Sequence, residues 1–213
     1  FIVNCQNLLA IDVNALNLSK QDDNIKEWLN TYYNGVIELD NQLEFQKAEN
    51  LCDSALLNSW RSPKNAEEFD ALFLLTTYKA VFLQDKGQII SATEYFEKAL
   101  QNYAKSTYEY QDDLSFIYPK LGNNYTRLGD NEKALLIHEK MLELSKKNND
   151  YDAIVQTKIN QSIVYENKKD FQKAISILED GNTYFDKISY FRQGIVLSNL
   201  GKYYMQLKNY IVA

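Results

Sequence analysis

Leu121-Gly-Asn-Asn-Tyr125-Thr-Arg-Leu-Gly129-Asp130-Asn-Glu-Lys-Ala134 is the stretch whose reading decides the fold. Leu121, Tyr125 and Leu128 fall at i, i+4 and i+7, on one face of a helix. Gly129 can adopt the left-handed backbone that ends a helix. Asp130 can cap the next helix by accepting from its free amide donors. Ala134, Leu135, His138, Met141 and Leu142 then resume the helical period. The stretch predicts a helix, a tight turn and a second, antiparallel helix.

The same pattern recurs downstream as Gln161-Ser-Ile-Val-Tyr165-Glu-Asn-Lys-Lys-Asp170-Phe-Gln-Lys-Ala174 and as Leu200-Gly201-Lys-Tyr-Tyr204-Met-Gln-Leu-Lys-Asn209-Tyr-Ile-Val-Ala213. Each copy has a Tyr, an Asp or Asn five residues on, and an Ala four beyond that. Degenerate copies surround Ala92 and Ala48, so the five alanines Ala48, Ala92, Ala134, Ala174 and Ala213 lie 44, 42, 40 and 39 residues apart. A small residue recurring in this way marks a place where helices must approach closely. The expected packing positions are therefore those five alanines with Leu121, Gly122, Tyr125, Gly129, Tyr165, Leu200, Gly201 and Tyr204.

Self-similarity at this period is the mark of stacked units, each burying its apolar face only against its neighbours. With 45% hydrophobic and 24% charged residues the composition is that of an ordinary folded chain, and 7 Gly with 2 Pro are too few for the turns of an all-β fold. The expected fold class is all-α, an α-solenoid of stacked antiparallel helix pairs. About five pairs would occupy residues 24–213, the last cut short at Ala213, which reads as a fragment. Residues 1–23 form a separate N-terminal segment. Its apolar start, up to Ala10, is either the tail of a secretory signal or an ordinary apolar helix. The chain is accordingly either cytoplasmic or exported.

Several function classes are disfavoured. A net charge of -6 is repelled by phosphate backbones and anionic lipid, so no nucleic acid or membrane-surface partner is expected. No run of eighteen apolar residues is present to span a bilayer. Cys5 and Cys52 have no nearby Cys or His at ligand spacing, so no metal site is expected. No Gly-rich phosphate loop exists, and no cofactor is expected. His138, the only histidine, sits at a packing position of a second helix. Cys52 lies two repeats away and reads as a small hydrophobe, so a Cys–His dyad is not expected. The acid pairs Glu67-Glu68 and Asp112-Asp113 fall near expected helix starts, where carboxylates complement the dipole. No catalytic residue emerges, and the chain reads as a non-enzyme.

Leu-Gly-x-x-Tyr in the first helix, Gly-Asp at the turn and Ala-x-x-x-φ-x-x-Ala-Leu in the second resemble the tetratricopeptide-repeat (TPR) family. The resemblance covers residues 24–213, with its most specific part at 118–142. The period is longer than the family's, which implies longer helices. The resemblance implies a right-handed superhelix with a concave groove that binds a protein or peptide, in cis or in trans. It would place Tyr78, Asn123, Thr126, Arg127, Asn160, Ile163, Asn167, Asn199 and Lys202 in that groove. Asn123 and Asn160 match two places of the family's carboxylate clamp, but Pro119, Ile195 and Asn199 stand elsewhere in that set, so a clamp is not implied. Tyr118 to Asp130, with Leu197 to Gly201, is also similar to the repeats that precede caspase-like CHAT domains in bacterial proteins. That resemblance offers a second reading, the regulatory arm of a larger protein with a downstream protease, kinase or DNA-binding domain.

Overall fold

The computed structural model describes residues 25–58, 62–107 and 111–207. Ala213, Asn209 and the N-terminal segment, with its Ala10 and Cys5, lie outside the described residues. Every regular element among the described residues is helical. The chain divides into two units, residues 1–108 and 109–213.

The first unit holds α1 (Ile25–Asn41), α2 (Phe45–Asn58), α3 (Ala66–Asp85) and α4 (Ile89–Tyr103). On α1 the stripe Ile25, Trp28, Leu29, Tyr32 and Val36 is buried, which is the spacing of one helix face. It meets Ala48, Leu51, Cys52 and Ala55 of α2 and Ala71, Leu75 and Phe82 of α3 in one core. Because α3 also packs on α4, it is buried on two sides, and Phe73 meets Tyr103 edge-on at 5.3 Å. Lys79, buried on α3, lies 3.2 Å from Glu49 and 2.8 Å from Asp53 of α2. Asn65 caps α3 by accepting from the Glu68 amide, and Glu67 and Glu68 sit in its first turn.

The second unit holds α5 (Gln111–Leu128), α6 (Asn131–Lys147), α7 (Tyr151–Asn167), α8 (Phe171–Gly181), a 3-10 turn (Asn182–Lys187) and α9 (Tyr190–Gln206). Pro119 lies within α5. α7 packs against α5, α6, α8 and α9, so it carries buried residues all round. Its buried polar groups are answered: Lys158 pairs with Asp180, Gln161 donates to Glu139 at 3.3 Å, and Ser162 donates to the Ile159 carbonyl at 2.7 Å. Val155, Ile159, Ala174, Leu178, Val196, Leu200 and Tyr203 form the core around it.

Among the described residues one turn geometry joins the two helices of each pair. Leu43, Gly87, Gly129 and Lys169 all have positive φ, between 54° and 79° as does Asn149. After each, the next amide reaches back five residues: Glu44 to the Leu39 carbonyl, Gln88 to Leu83, Asp130 to Tyr125, Asp150 to Ser145 and Asp170 to Tyr165. This is the Schellman arrangement, which satisfies carbonyls at the end of a helix. The residue that closes the first helix then starts the second: Asp130, Asp150 and Asp170 accept from the amides of Lys133, Ala153 and Lys173. Five residues beyond each within-pair turn lie Ala48, Ala92, Ala134 and Ala174, each with 0% exposure. Lys146 and Lys147 fall in the last turn of α6, where cations complement the helix dipole.

Candidate interaction surfaces

In the second unit the first helices of successive pairs lie side by side, α5 beside α7 and α7 beside α9. Between them is a depression of about 350 Å³. Ser115 and Pro119 come from α5, Gln156, Thr157 and Asn160 from α7, and Arg192 from α9. α6 contributes His138 and Met141 to its lining. Arg192 donates to the Gln156 side-chain oxygen and its Nε stands 3.6 Å from Asp152. The Gln156 amide nitrogen in turn donates to Asn160 Oδ1 at 2.9 Å. A guanidinium and two amides are thus ordered into one chain of donors and acceptors.

His138 has 0% exposure, and among the described residues neither of its ring nitrogens finds a hydrogen-bond partner. Burial lowers its pKa to about 4, so the imidazole is neutral. It therefore holds one donor and one acceptor unused. Its ring lies against Gly122, so close that a Cβ there would stand 2.5 Å from Cε1.

The first unit has a cavity of its own, about 480 Å³, bordered by Asp40 of α1, Phe45 and Glu49 of α2, and Tyr78, Val81, Phe82 and Asp85 of α3, with Lys86 just beyond. Burial alone would raise Glu49, but the Lys86 and Lys79 ammoniums outweigh it and hold the carboxyl below its ordinary range. Burial, then the nearby Asp40 charge, raises the Tyr78 phenol. Cys52 is chemically quiet: buried, with its thiol donating to the Leu75 carbonyl at 3.2 Å and pushed up to about 12 by burial. A third, shallow depression runs along α9, where Tyr190 and Phe191 are largely exposed beside Ile195, Ser198 and Asn199.

The residues expected in a groove fall in several places. Asn160 is buried in the depression of the second unit, Tyr78 half-buried in the cavity of the first, and Asn199 in the shallow depression of α9. Asn123, Arg127 and Asn167 are exposed, outside all three. Thr126 is half-buried and donates to the Gly122 carbonyl at 2.9 Å, and Ile163 packs against the core. Lys202 lies 2.7 Å from Glu166 and over the Tyr203 ring. Of the packing positions, Leu121, Gly122, Tyr125 and Leu200 are buried, while Tyr165, Gly201 and Tyr204 are half-buried and Gly129 is exposed. Tyr204 reaches Glu179 at 2.6 Å. Its neighbour Tyr203 is the fully buried tyrosine of α9, within 3.2 Å of both Ser162 and Glu166. Sequence reasoning missed Gln156, Arg192 and Tyr203. A signal for Tyr203 was present, since Val196, Leu200 and Tyr203 repeat at i, i+4 and i+7.

Among the described residues no group of three His, Cys, Asp or Glu could hold a metal ion, and no helix is long and apolar enough to cross a membrane. No curated protein matches the chain in sequence. Solved structures do match in fold. BtubC (BKLC) from P. vanneervenii superposes with a TM-score of 0.67 at 19% identity, over 89% of this chain and 76% of that one. A Podosopora anserina putative kinesin light chain with nearly identical TPR-like repeats gives 0.62 at 14% identity, over 88% and 90%. The apo form of RapI gives 0.65 at 19% identity over 86% of this chain, which spans 50% of RapI. The tetratricopeptide repeat family model matches residues 72–147, from α3 to the end of α6. Residues 72–147 are thus similar to tetratricopeptide repeats, and the chain has the all-helical fold of TPR-like solenoids.

Proposed function

We propose that the chain is a protein–protein interaction scaffold without catalysis of its own, and that its second unit binds an extended peptide segment across α5, α7 and α9. The observation that carries this reading is the ordered chain of Arg192, Gln156 and Asn160 along a depression between the first helices α5, α7 and α9. A peptide amide presents both a donor and an acceptor, which suits the Gln156 and Asn160 side-chain amides and the Arg192 guanidinium beside them. Panning a phage-displayed random peptide library on the immobilised full chain tests this. Enriched peptides should lose about tenfold or more in affinity on Gln156→Ala with Asn160→Ala, as two lost hydrogen bonds imply. No enrichment, or enriched peptides all indifferent to that double substitution, refutes it.

The second reading is that these repeats form the regulatory arm of a longer protein carrying a caspase-like CHAT protease, a kinase or a DNA-binding domain. It is supported by the likeness of Tyr118 to Asp130 to the repeats preceding CHAT domains. The full reading frame of the gene tests it, and a frame that encodes no such domain removes it.

A further inference from the structure

The cavity of the first unit differs in chemistry from the depression of the second. Its walls are apolar, built from Phe45, Tyr78, Val81 and Phe82, and Tyr78 meets Phe82 with ring centroids 6.0 Å apart. The charges at its edge fall into two classes. Glu49 is committed to Lys86 and Lys79, and Lys79 also to Asp53, so these four groups neutralise one another. Asp40 and Asp85 form no ion pair among the described residues. Two uncommitted carboxylates therefore border an aromatic-walled pit, and 54% of Phe45 is left in water.

We infer that this cavity takes the side chain of a lysine or arginine of a partner peptide, its stem against Tyr78, Val81 and Phe82 and its cationic head between Asp40 and Asp85. The inference rests on the reading of the chain as a peptide-binding scaffold. A long basic side chain is the one type that meets both demands of the site. Its methylenes cover apolar wall while its head stays at the wet, charged edge. Ring faces add cation–π attraction. A purely aliphatic side chain would leave both carboxylates unanswered, and an acidic one would be repelled. The net charge of -6 also favours encounter with a basic segment.

The test is an NMR titration of the isotope-labelled full chain with N-acetyl-arginine methylamide and its citrulline counterpart, which has the same shape without the charge. N-acetyl-leucine methylamide is the apolar control. The arginine compound should shift amide resonances of residues 78–86 and bind about tenfold tighter than the citrulline one, the sum of two exposed charge contacts. Asp40→Asn with Asp85→Asn should bring the two within about twofold, leaving the response to leucine unchanged. Equal binding of arginine and citrulline compounds, a preference for leucine, shifts confined to other residues, or no shift at all overturns the assignment. The underlying scaffold reading fails differently, by yielding no peptide in panning, whatever this cavity does with a small amide.

Discussion

Gly122 and Gly201 hold the same place in their repeats, each directly after a leucine, yet substituting alanine should shift stability in opposite directions. A Cβ on Gly122 would stand 2.5 Å from His138 Cε1 and 2.7 Å from Nδ1. Carbon atoms rest at about 3.5–4.0 Å, so something must give by about 1 Å. Both residues are buried between α5 and α6, and overpacking of this kind costs about 1–3 kcal/mol. Replacing glycine in a helix recovers about 1 kcal/mol. The net for Gly122→Ala is a loss of up to about 2 kcal/mol. At Gly201 nothing lies within 4 Å of the added carbon, so only the propensity acts and Gly201→Ala should gain about 0.5–1 kcal/mol. Urea unfolding of the 213-residue chain, followed by far-UV circular dichroism, measures both. Adding His138→Ala should return most of what Gly122→Ala loses, a coupling that a double-mutant cycle isolates. If Gly122→Ala is as stable as Gly201→Ala, or His138→Ala returns none of the difference, the nesting of His138 on Gly122 is wrong.

His138→Leu removes two unanswered buried nitrogens at similar volume, so it should raise stability by about 1–3 kcal/mol; lower stability in chemical denaturation would contradict this. Burial drops His138 from 6.5 to about 4, so between those values the unfolded chain takes up a proton that the native one refuses. Native stability should therefore be undiminished by this group above pH 6.5, fall as pH drops toward 4, and lose about 3 kcal/mol in all. The leucine variant should lack that part of the pH profile, and superimposable profiles would reject it. Lys169 holds a φ of 60° that glycine adopts without strain, so Lys169→Gly should gain about 0.5–1 kcal/mol in a thermal melt. A lower melting temperature would mean the lysine stem contributes more than the backbone costs.

The helix pairs are legible in the sequence because the turn between them is written in residue chemistry at Gly129-Asp130, with the cap repeated at Asp170. It is less legible where the same backbone is carried by Leu43 or Lys169, which have no preference for positive φ. There the hydrogen bonds from Glu44 to Leu39 and from Asp170 to Tyr165 hold the conformation. Asn149-Asp150 repeats the turn between pairs, and its Asn and Asp were a readable signal. The interaction surfaces are harder. Asn160 and Tyr78 can be placed on first helices by periodicity, but the depression around Asn160 also draws His138 from α6 and Arg192 from α9. Which side chain of a second helix fills the gap between two first helices depends on interhelical spacing, and no local pattern encodes that.

The shared turn makes each hairpin a rigid joint with no slack. One residue inserted at Gly129-Asp130 would rotate α6 by about 100° and carry Ala134 off the interface. Growth or loss of chain is then better absorbed at the far ends of the two arms, as the short Asn149-Asp150 turn between α6 and α7 and the 3-10 turn Asn182–Lys187 between α8 and α9 differ. The alanine spacing falls from 44 to 40 residues along the chain, yet every elbow keeps the same five-residue reach to its buried alanine.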